Sequence, residues 1–160
     1  MTTAIYAGSF DPLTKGHISI LRAGLVSFDR IIVVIAYNSR KSSLFTVAER
    51  TQMVRDSVLD LPTVEVDAHE GLLVEYAQQR GVKVLLRGLR VVADFEHEMQ
   101  MANMNRHLNR EVETVFIMAN DYFYVSSTLV KEAALLGGDI DDLVPPAVAV
   151  KLREKRGRGL

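Results

Sequence analysis

Residues 31–35 read Ile-Ile-Val-Val-Ile, five consecutive apolar, β-branched side chains. Strand side chains alternate between the two faces of a sheet, so a run of this kind buries both faces. A strand covered on both sides belongs in a parallel sheet with helices above and below it. Four more short runs fit the same sheet: Ala4 to Ala7, Val64 to Asp67, Val82 to Leu86 and Thr114 to Met118, with Ile31 to Tyr37 as the second strand in order.

Helical patterns fill the intervals. His17 to Phe28 places Leu21, Leu25 and Phe28 on one stripe. Thr46-Val47-Ala48-Glu49 is a capping box, which starts a helix running to about Leu59. Leu72 to Arg80 is a short helix stopped by Gly81. Val91 to Leu108 is longer and sets Val91, Phe95, Met99 and Ala102 on one apolar face. Ser127 to Leu136 ends at Gly137-Gly138, and Pro145-Pro146 precedes a last helix over about 146–155. Alternation of this kind predicts a single Rossmann-like, doubly wound α/β domain over 1–160, with a five-stranded parallel sheet flanked by helices.

Composition narrows the function. At 160 residues with 48% hydrophobic and 24% charged content, the chain matches one soluble globular domain. Nineteen Lys and Arg against 20 Asp and Glu give a net charge of -1, which argues against a nucleic-acid binder working through bulk positive charge. The absence of cysteine excludes disulfides, thiolate metal sites and cysteine nucleophiles, and fits a cytoplasmic protein. No signal peptide is visible after Met1, and the longest apolar run, Ile31 to Ala36, is too short to cross a membrane.

In doubly wound sheets the ligand sits beyond the carboxyl ends of the strands. The first strand ends in Gly8-Ser9-Phe10-Asp11-Pro12-Leu13-Thr14-Lys15-Gly16-His17, then a helix whose free N–H groups suit phosphate. Lys41 follows the second strand, Leu72 and Leu73 the third. Arg87-Gly88-Leu89-Arg90 is read as following the fourth, with Glu98 close by on the next helix as an ion-pair partner or a ligand contact. Ser126-Ser127-Thr128 opens the helix after the fifth strand, as caps and an anion nest. Each has a bland alternative: a capping residue, a solvated loop, core packing, a structural ion pair. Neither G-x-G-x-x-G nor the P-loop motif occurs, and spacing singles out neither a carboxylate pair nor a Ser–His–Asp set.

Thr14-Lys15-Gly16-His17 resembles the (H/T)xGH signature of the nucleotidyltransferase superfamily, and Ser126 to Lys131 its second signature, ISxTxxR. The chain more closely resembles the bacterial phosphopantetheine adenylyltransferase family, through Gly8-Ser9-Phe10-Asp11-Pro12, Arg87 to Arg90, Asp94-Phe95-Glu96, Glu98-Met99-Gln100 and Met104-Asn105. It departs from that family at Ser9 for a common Thr, His97 for a common Tyr, and a short Asn120 to Phe123 stretch. Lys131 stands where the superfamily has Arg, as expected within the family.

The resemblance implies a reaction of ATP with 4′-phosphopantetheine giving dephospho-coenzyme A and pyrophosphate, with Mg²⁺ held mainly through ATP phosphates. It implies His17, Lys41 and Arg90 as catalytic residues, and Ser9, Lys41, Leu73 and Arg87 as phosphopantetheine contacts. ATP contacts would come from Ser9, Phe10, His17, Gly88, Leu89, Arg90, Glu98, Tyr122, Phe123, Tyr124, Val125, Ser126, Ser127 and Thr128. It also implies a cytoplasmic homohexamer inhibited by coenzyme A, with neither nucleic acid nor membrane as a partner.

Alternatives are a sister nucleotidyltransferase using nicotinamide mononucleotide or glycerol 3-phosphate, a non-catalytic nucleotide-binding module, and a nucleic-acid binder resting on the basic tail from Lys151 to Arg158. His69 and His107 read as surface residues.

Overall fold

The apolar run at 31–35 divides its side chains as a doubly covered strand must. Ile31, Val33 and Ile35 enter one core, while Ile32 and Val34 enter the other. The computed structural model in which this is seen describes residues 1–90, 92–119 and 121–157. Val91, Asn120 and Arg158, which figure in the sequence reading, lie outside the described residues.

The elements follow in order as β1 (Thr3–Gly8), α1 (Lys15–Gly24), β2 (Arg30–Tyr37), α2 (Val47–Ser57), β3 (Val64–Glu70), α3 (Leu73–Arg80), β4 (Val84–Leu89), α4 (Val92–Leu108), β5 (Glu113–Met118), α5 (Ser127–Leu135) and α6 (Pro146–Gly157). The sheet order is β3-β2-β1-β4-β5, and every pairing is parallel. Strand order reverses between β1 and β4, so a crevice opens there at the carboxyl edge.

One core lies under α1, α2, α5 and α6, where Leu21, Met53, Val54, Val130, Val148 and Leu152 meet Tyr6 and Leu86. The other lies under α3, where Val74 and Ala77 meet Ile5, Ala7 and Leu85. Each fully buried aliphatic side chain contributes roughly 1.5–3 kcal/mol.

Three expectations need correction. The fourth strand begins at Val84 and runs to Leu89, not from Val82 to Leu86. Gly81 adopts φ +65° and Val82 N–H bonds back to the Ala77 carbonyl at 2.9 Å, so Val82 belongs to the helix-closing turn. Pairing with β5 then continues to Leu89 opposite Met118. Arg87 and Gly88 therefore sit inside the strand, and Arg90 follows it.

The first helix ends at Gly24, well before Phe28. A Cβ there would stand 2.7 Å from Leu86 Cδ2 and 2.9 Å from Ile31 Cδ1, so glycine lets the helix meet the sheet without displacing those buried side chains. Phe28 still packs against the core from the turn that follows.

The apolar face assigned to α4 is not a core face. Phe95 is 45% exposed and Met99 39% exposed, because the sheet lies under a different side of this helix. Among the described residues, no helix is long and apolar enough to cross a membrane.

Candidate active site

A cleft of about 340 Å³ opens at the carboxyl edge of β1 and β4. Ser9, Phe10, His17, Arg87, Gly88, Arg90, Glu98, Val125, Ser126, Ser127 and Thr128 line it. Lys41, Leu73, Leu89, Tyr122, Phe123 and Tyr124 do not. Lys41 is exposed on a turn closed by its N–H to the Asn38 carbonyl at 2.9 Å. Leu73 opens α3 and packs against the core beneath it. Leu89 ends β4, half-buried, and its carbonyl accepts from Ala119 N–H at 2.8 Å. Tyr122, at φ +57°, packs against the core, while Phe123 and Tyr124 are exposed with ring centroids 5.7 Å apart.

His17 owes its setting to local chain chemistry. It is the third residue of α1, and Thr14 is the N-cap. Thr14 N–H donates to His17 Nδ1 at 3.0 Å, and Thr14 Oγ1 accepts from His17 N–H at 3.4 Å. The box usually uses Glu or Gln at this position; an imidazole fills it here. Because a backbone amide can only donate, Nδ1 is the unprotonated nitrogen and the neutral ring carries its proton on Nε2. Phe10, buried, meets the ring edge-on at 5.1 Å between centroids. Burial, with the charges of Arg90 and then Arg87 added, pushes the imidazole pKa down to about 4. His17 is therefore a neutral donor at pH 7, beside two guanidinium groups.

Arg87 and Glu98 form a forked pair, Nε to Oε2 at 2.7 Å and Nη2 to Oε1 at 2.5 Å. Arg87 Nη1 also donates to the Ala7 carbonyl at 2.5 Å. The guanidinium is thus fixed across β1, β4 and α4 and brings charge into the cleft with little freedom left to lose. Arg90 Nη1 donates to the Val125 carbonyl at 3.0 Å, joining the end of β4 to the segment before α5. Gly88 serves packing as well: a Cβ there would stand 2.8 Å from Ile20 Cγ1 on α1.

The three hydroxyls at the start of α5 divide their work. Ser126 caps the helix, accepting from Leu129 N–H at 3.2 Å. Ser127 Oγ donates to the Pro12 carbonyl at 2.8 Å, tying α5 to the first loop. Thr128 is exposed at the cleft. The N-termini of α1 and α5 both face this space, so two helix dipoles favour an anion there.

Sequence reasoning missed Tyr6, whose buried phenol lines the cleft and is pushed far above its ordinary pKa by desolvation. It also missed Arg50, which is only 4% exposed and donates to the Ser9 carbonyl at 2.8 Å. Arg50 shares one face of α2 with Met53 and Val54, three and four residues on, and that spacing was the available signal. His69 is not the surface residue expected: it is half-buried against Tyr76, 5.0 Å between centroids, and its Nε2 is enclosed. His107 is exposed, as read.

Within the described lining, Glu98 is the one carboxylate, and Arg87 engages it. Among the described residues no group of three or more His, Asp or Glu is placed to hold a metal ion. With two guanidinium groups, two helix N-termini and a neutral imidazole in its lining, the cleft has the chemistry suited to phosphates and to stabilising charge on them rather than to hydrolysis by paired carboxylates.

Comparison with known proteins identifies the relatives of this chain. The cytidylyltransferase-like family matches residues 5–133. A phosphopantetheine adenylyltransferase from Anaeromyxobacter dehalogenans (strain 2CP-C) is 53% identical over 156 residues, covering 97% of this chain and 95% of that protein. Another, from Syntrophus aciditrophicus (strain SB), is 53% identical over 153 residues, covering 95% and 93%. A solved Vibrio parahaemolyticus chain described as a nicotinate-nucleotide adenylyltransferase superposes with a TM-score of 0.70 over 100% of this chain and 98% of its own, at 17% identity, a likeness of fold.

Proposed function

This chain belongs to the cytidylyltransferase-like family and to the phosphopantetheine adenylyltransferases within reach of it by sequence, and from that membership we propose that it transfers the adenylyl group of ATP to 4′-phosphopantetheine. The products are dephospho-coenzyme A and pyrophosphate, a step of coenzyme A biosynthesis. The observation that carries this reading is 53% identity along nearly the whole of both chains.

The nucleophile is the phosphate of phosphopantetheine, and the bond broken joins the α- and β-phosphates of ATP. A phosphate monoester has its second pKa near ~6, so the nucleophile is largely dianionic at neutral pH and needs no general base. The protein's task is to hold two mutually repelling anions in line. Positioning of this kind supplies on the order of 7–11 kcal/mol.

Arg87, already braced by Glu98 and the Ala7 carbonyl, and Lys41, from the β2–α2 loop, orient the attacking phosphate. His17 donates from Nε2 to the α-phosphate as charge builds there; its depressed pKa suits a hydrogen-bond donor that neither gives up nor gains a proton. Arg90 and the Ser126–Thr128 turn hold the β- and γ-phosphates. Within the cleft, Phe10, Gly88 and Val125 border the nucleotide; for Leu89, the 122–124 segment and Leu73, which stand outside it, contact with the nucleotide or the pantetheine arm rests on the family resemblance alone. The lining carboxylate, Glu98, is committed to Arg87, so Mg²⁺ would be held mainly by the ATP phosphates, where it would supply neutralisation of phosphate charge.

We further propose a cytoplasmic homohexamer with coenzyme A as feedback inhibitor. The exposed apolar side chains of Phe95, Met99, Met101 and Met104 on α4, and of Met118 on β5, support burial against other copies.

The deciding experiment supplies ATP, Mg²⁺ and 4′-phosphopantetheine and follows pyrophosphate and dephospho-coenzyme A together, with nicotinamide mononucleotide in a parallel reaction. Product with phosphopantetheine alone is expected. Turnover of the other acceptor instead would keep the superfamily and reject the acceptor.

A further inference from the structure

Lys131 stands where the superfamily's second signature has Arg, yet it does not line the cleft. Its Nζ donates to Asp11 Oδ2 at 2.9 Å. Asp11 is buried, and the same carboxylate accepts two backbone amides from a third segment, Leu44 N–H at 3.0 Å and Phe45 N–H at 2.9 Å. One carboxylate therefore joins the first loop, the end of the β2–α2 loop and α5. Ser127, four residues before Lys131 and so on the same helical face, binds the neighbouring Pro12 carbonyl at 2.8 Å. From the other side, Arg50 holds the Ser9 carbonyl.

The loop fastened in this way is the one that carries Lys41. Its near end is tied by Ser39 N–H to Glu70 Oε1 at 2.8 Å, and its far end by Leu44 and Phe45 to Asp11. Lys41 lies between the two anchors, exposed, so packing does not fix it. Its distance from the cleft is set by where the loop is fastened.

We propose that Asp11 and Lys131 are positioning residues for the acceptor side of the reaction, fastening the Lys41 loop to the first loop and α5, the two segments that border the cleft. The assignment rests on the reading that Lys41 meets the phosphate of phosphopantetheine. Without Lys131, the Asp11 carboxylate loses its cation inside the protein. The carboxylate then takes up a proton or water, the two amide bonds weaken, and Lys41 drifts. ATP, held by α1, α5 and the end of β4, is affected less.

The test compares wild type with Lys131→Met and Lys131→Arg by steady-state kinetics, varying each substrate in turn. Lys131→Met is expected to raise KM for phosphopantetheine by about 10-fold or more, while KM for ATP moves by less than about 3-fold. Lys131→Arg, which keeps the charge, is expected to restore most of the loss. A lowered Tm with both KM values unchanged would make the pair merely structural and overturn the proposal, as would an equal rise in both.

Amide hydrogen exchange reads the clamp without substrate. Leu44 and Phe45 are expected to exchange about 10-fold faster in Lys131→Met, with Val34 in β2 unchanged; unchanged protection at Leu44 and Phe45 rejects the clamp. Should Lys131→Met not fold, Asp11→Asn is held to the same two outcomes. Wild-type protein that makes no dephospho-coenzyme A would defeat the functional reading, and the exchange result would still decide whether the clamp holds the loop.

Discussion

The two flanks of the sheet are finished differently. On the β2 side, both faces of the strand vanish under helices: Ile31 to Ile35 are all buried, with α2 and α6 over one face and α3 over the other. On the β5 side, α4 covers the strand but turns Phe95, Met101 and Met104 to solvent, and Met118 on β5 is 75% exposed. The β2 flank closes its own core. The β4–β5–α4 flank supplies the cleft with Arg87, Arg90 and Glu98 and leaves an apolar surface outside it. The protein thus separates a scaffold closed on both faces from a half that lines the cleft on one side and presents methionines on the other.

The harshest test of that contrast is a cavity in the closed flank. Ile32→Ala is expected to cost about 2–5 kcal/mol in denaturant unfolding, whereas Met118→Ser should stay within about 0.5 kcal/mol for the protomer. Equal losses would erase the distinction. At the junction between the flanks, His17→Ala is expected to lower turnover by about 100-fold with the fold intact, as read by single-substrate kinetics and circular dichroism. Near-normal turnover in that variant would remove His17 from the reaction. On the open flank, Arg87→Ala should weaken phosphopantetheine binding more than ATP binding in calorimetry, and the reverse ranking would reject its assignment.

A smaller effect sharpens the contrast on the outer surface. Met118→Ser, nearly silent in stability, is expected to reduce the assembled mass in sedimentation; an unchanged mass would place the subunit contact elsewhere.

The smallest expected effects concern pH. His17 has its pKa lowered from 6.5 to about 4 by burial and the two arginines, so the unfolded chain binds its proton first. Stability from this group is complete above pH 6.5 and is lost as pH falls toward 4. Nitrogen chemical shifts should show a neutral ring protonated on Nε2 at pH 6; an imidazolium there would contradict the geometry. Asp11 behaves similarly at lower pH. Burial by itself would raise its pKa, but the hydrogen bond from Lys131 and those from Phe45 and Leu44 outweigh it and bring it below 3.8. Its stabilisation is complete above that value and lost as pH falls through the folded-state pKa. Asp11→Asn should flatten that acid limb in pH-dependent unfolding.

Much of this molecule was determined by the sequence alone. A β-branched run with no polar interruption has one economical home, a doubly covered parallel strand, so five strands and the helices between them were legible from period and punctuation. The Thr46–Glu49 box and Gly81 set helix ends because capping is local chemistry. His17, Arg87, Arg90, Glu98 and Ser126 to Thr128 could be singled out because strand ends converge in this topology.

What only the tertiary structure decided involves residues far apart in the chain. The extension of β4 to Leu89 depends on its pairing with β5, and the exposed face of α4 on which side of that helix the sheet occupies. Arg50 under Ser9, the Ala7 carbonyl on Arg87, and Asp11 between Leu44, Phe45 and Lys131 join partners separated by 33 to 120 positions. Periodicity and capping act over a turn or two of chain, whereas a buried charge finds its partner wherever folding has enclosed both. That is why the sequence named His17, Arg87, Arg90 and Glu98 in the cleft and left their fastening to the fold.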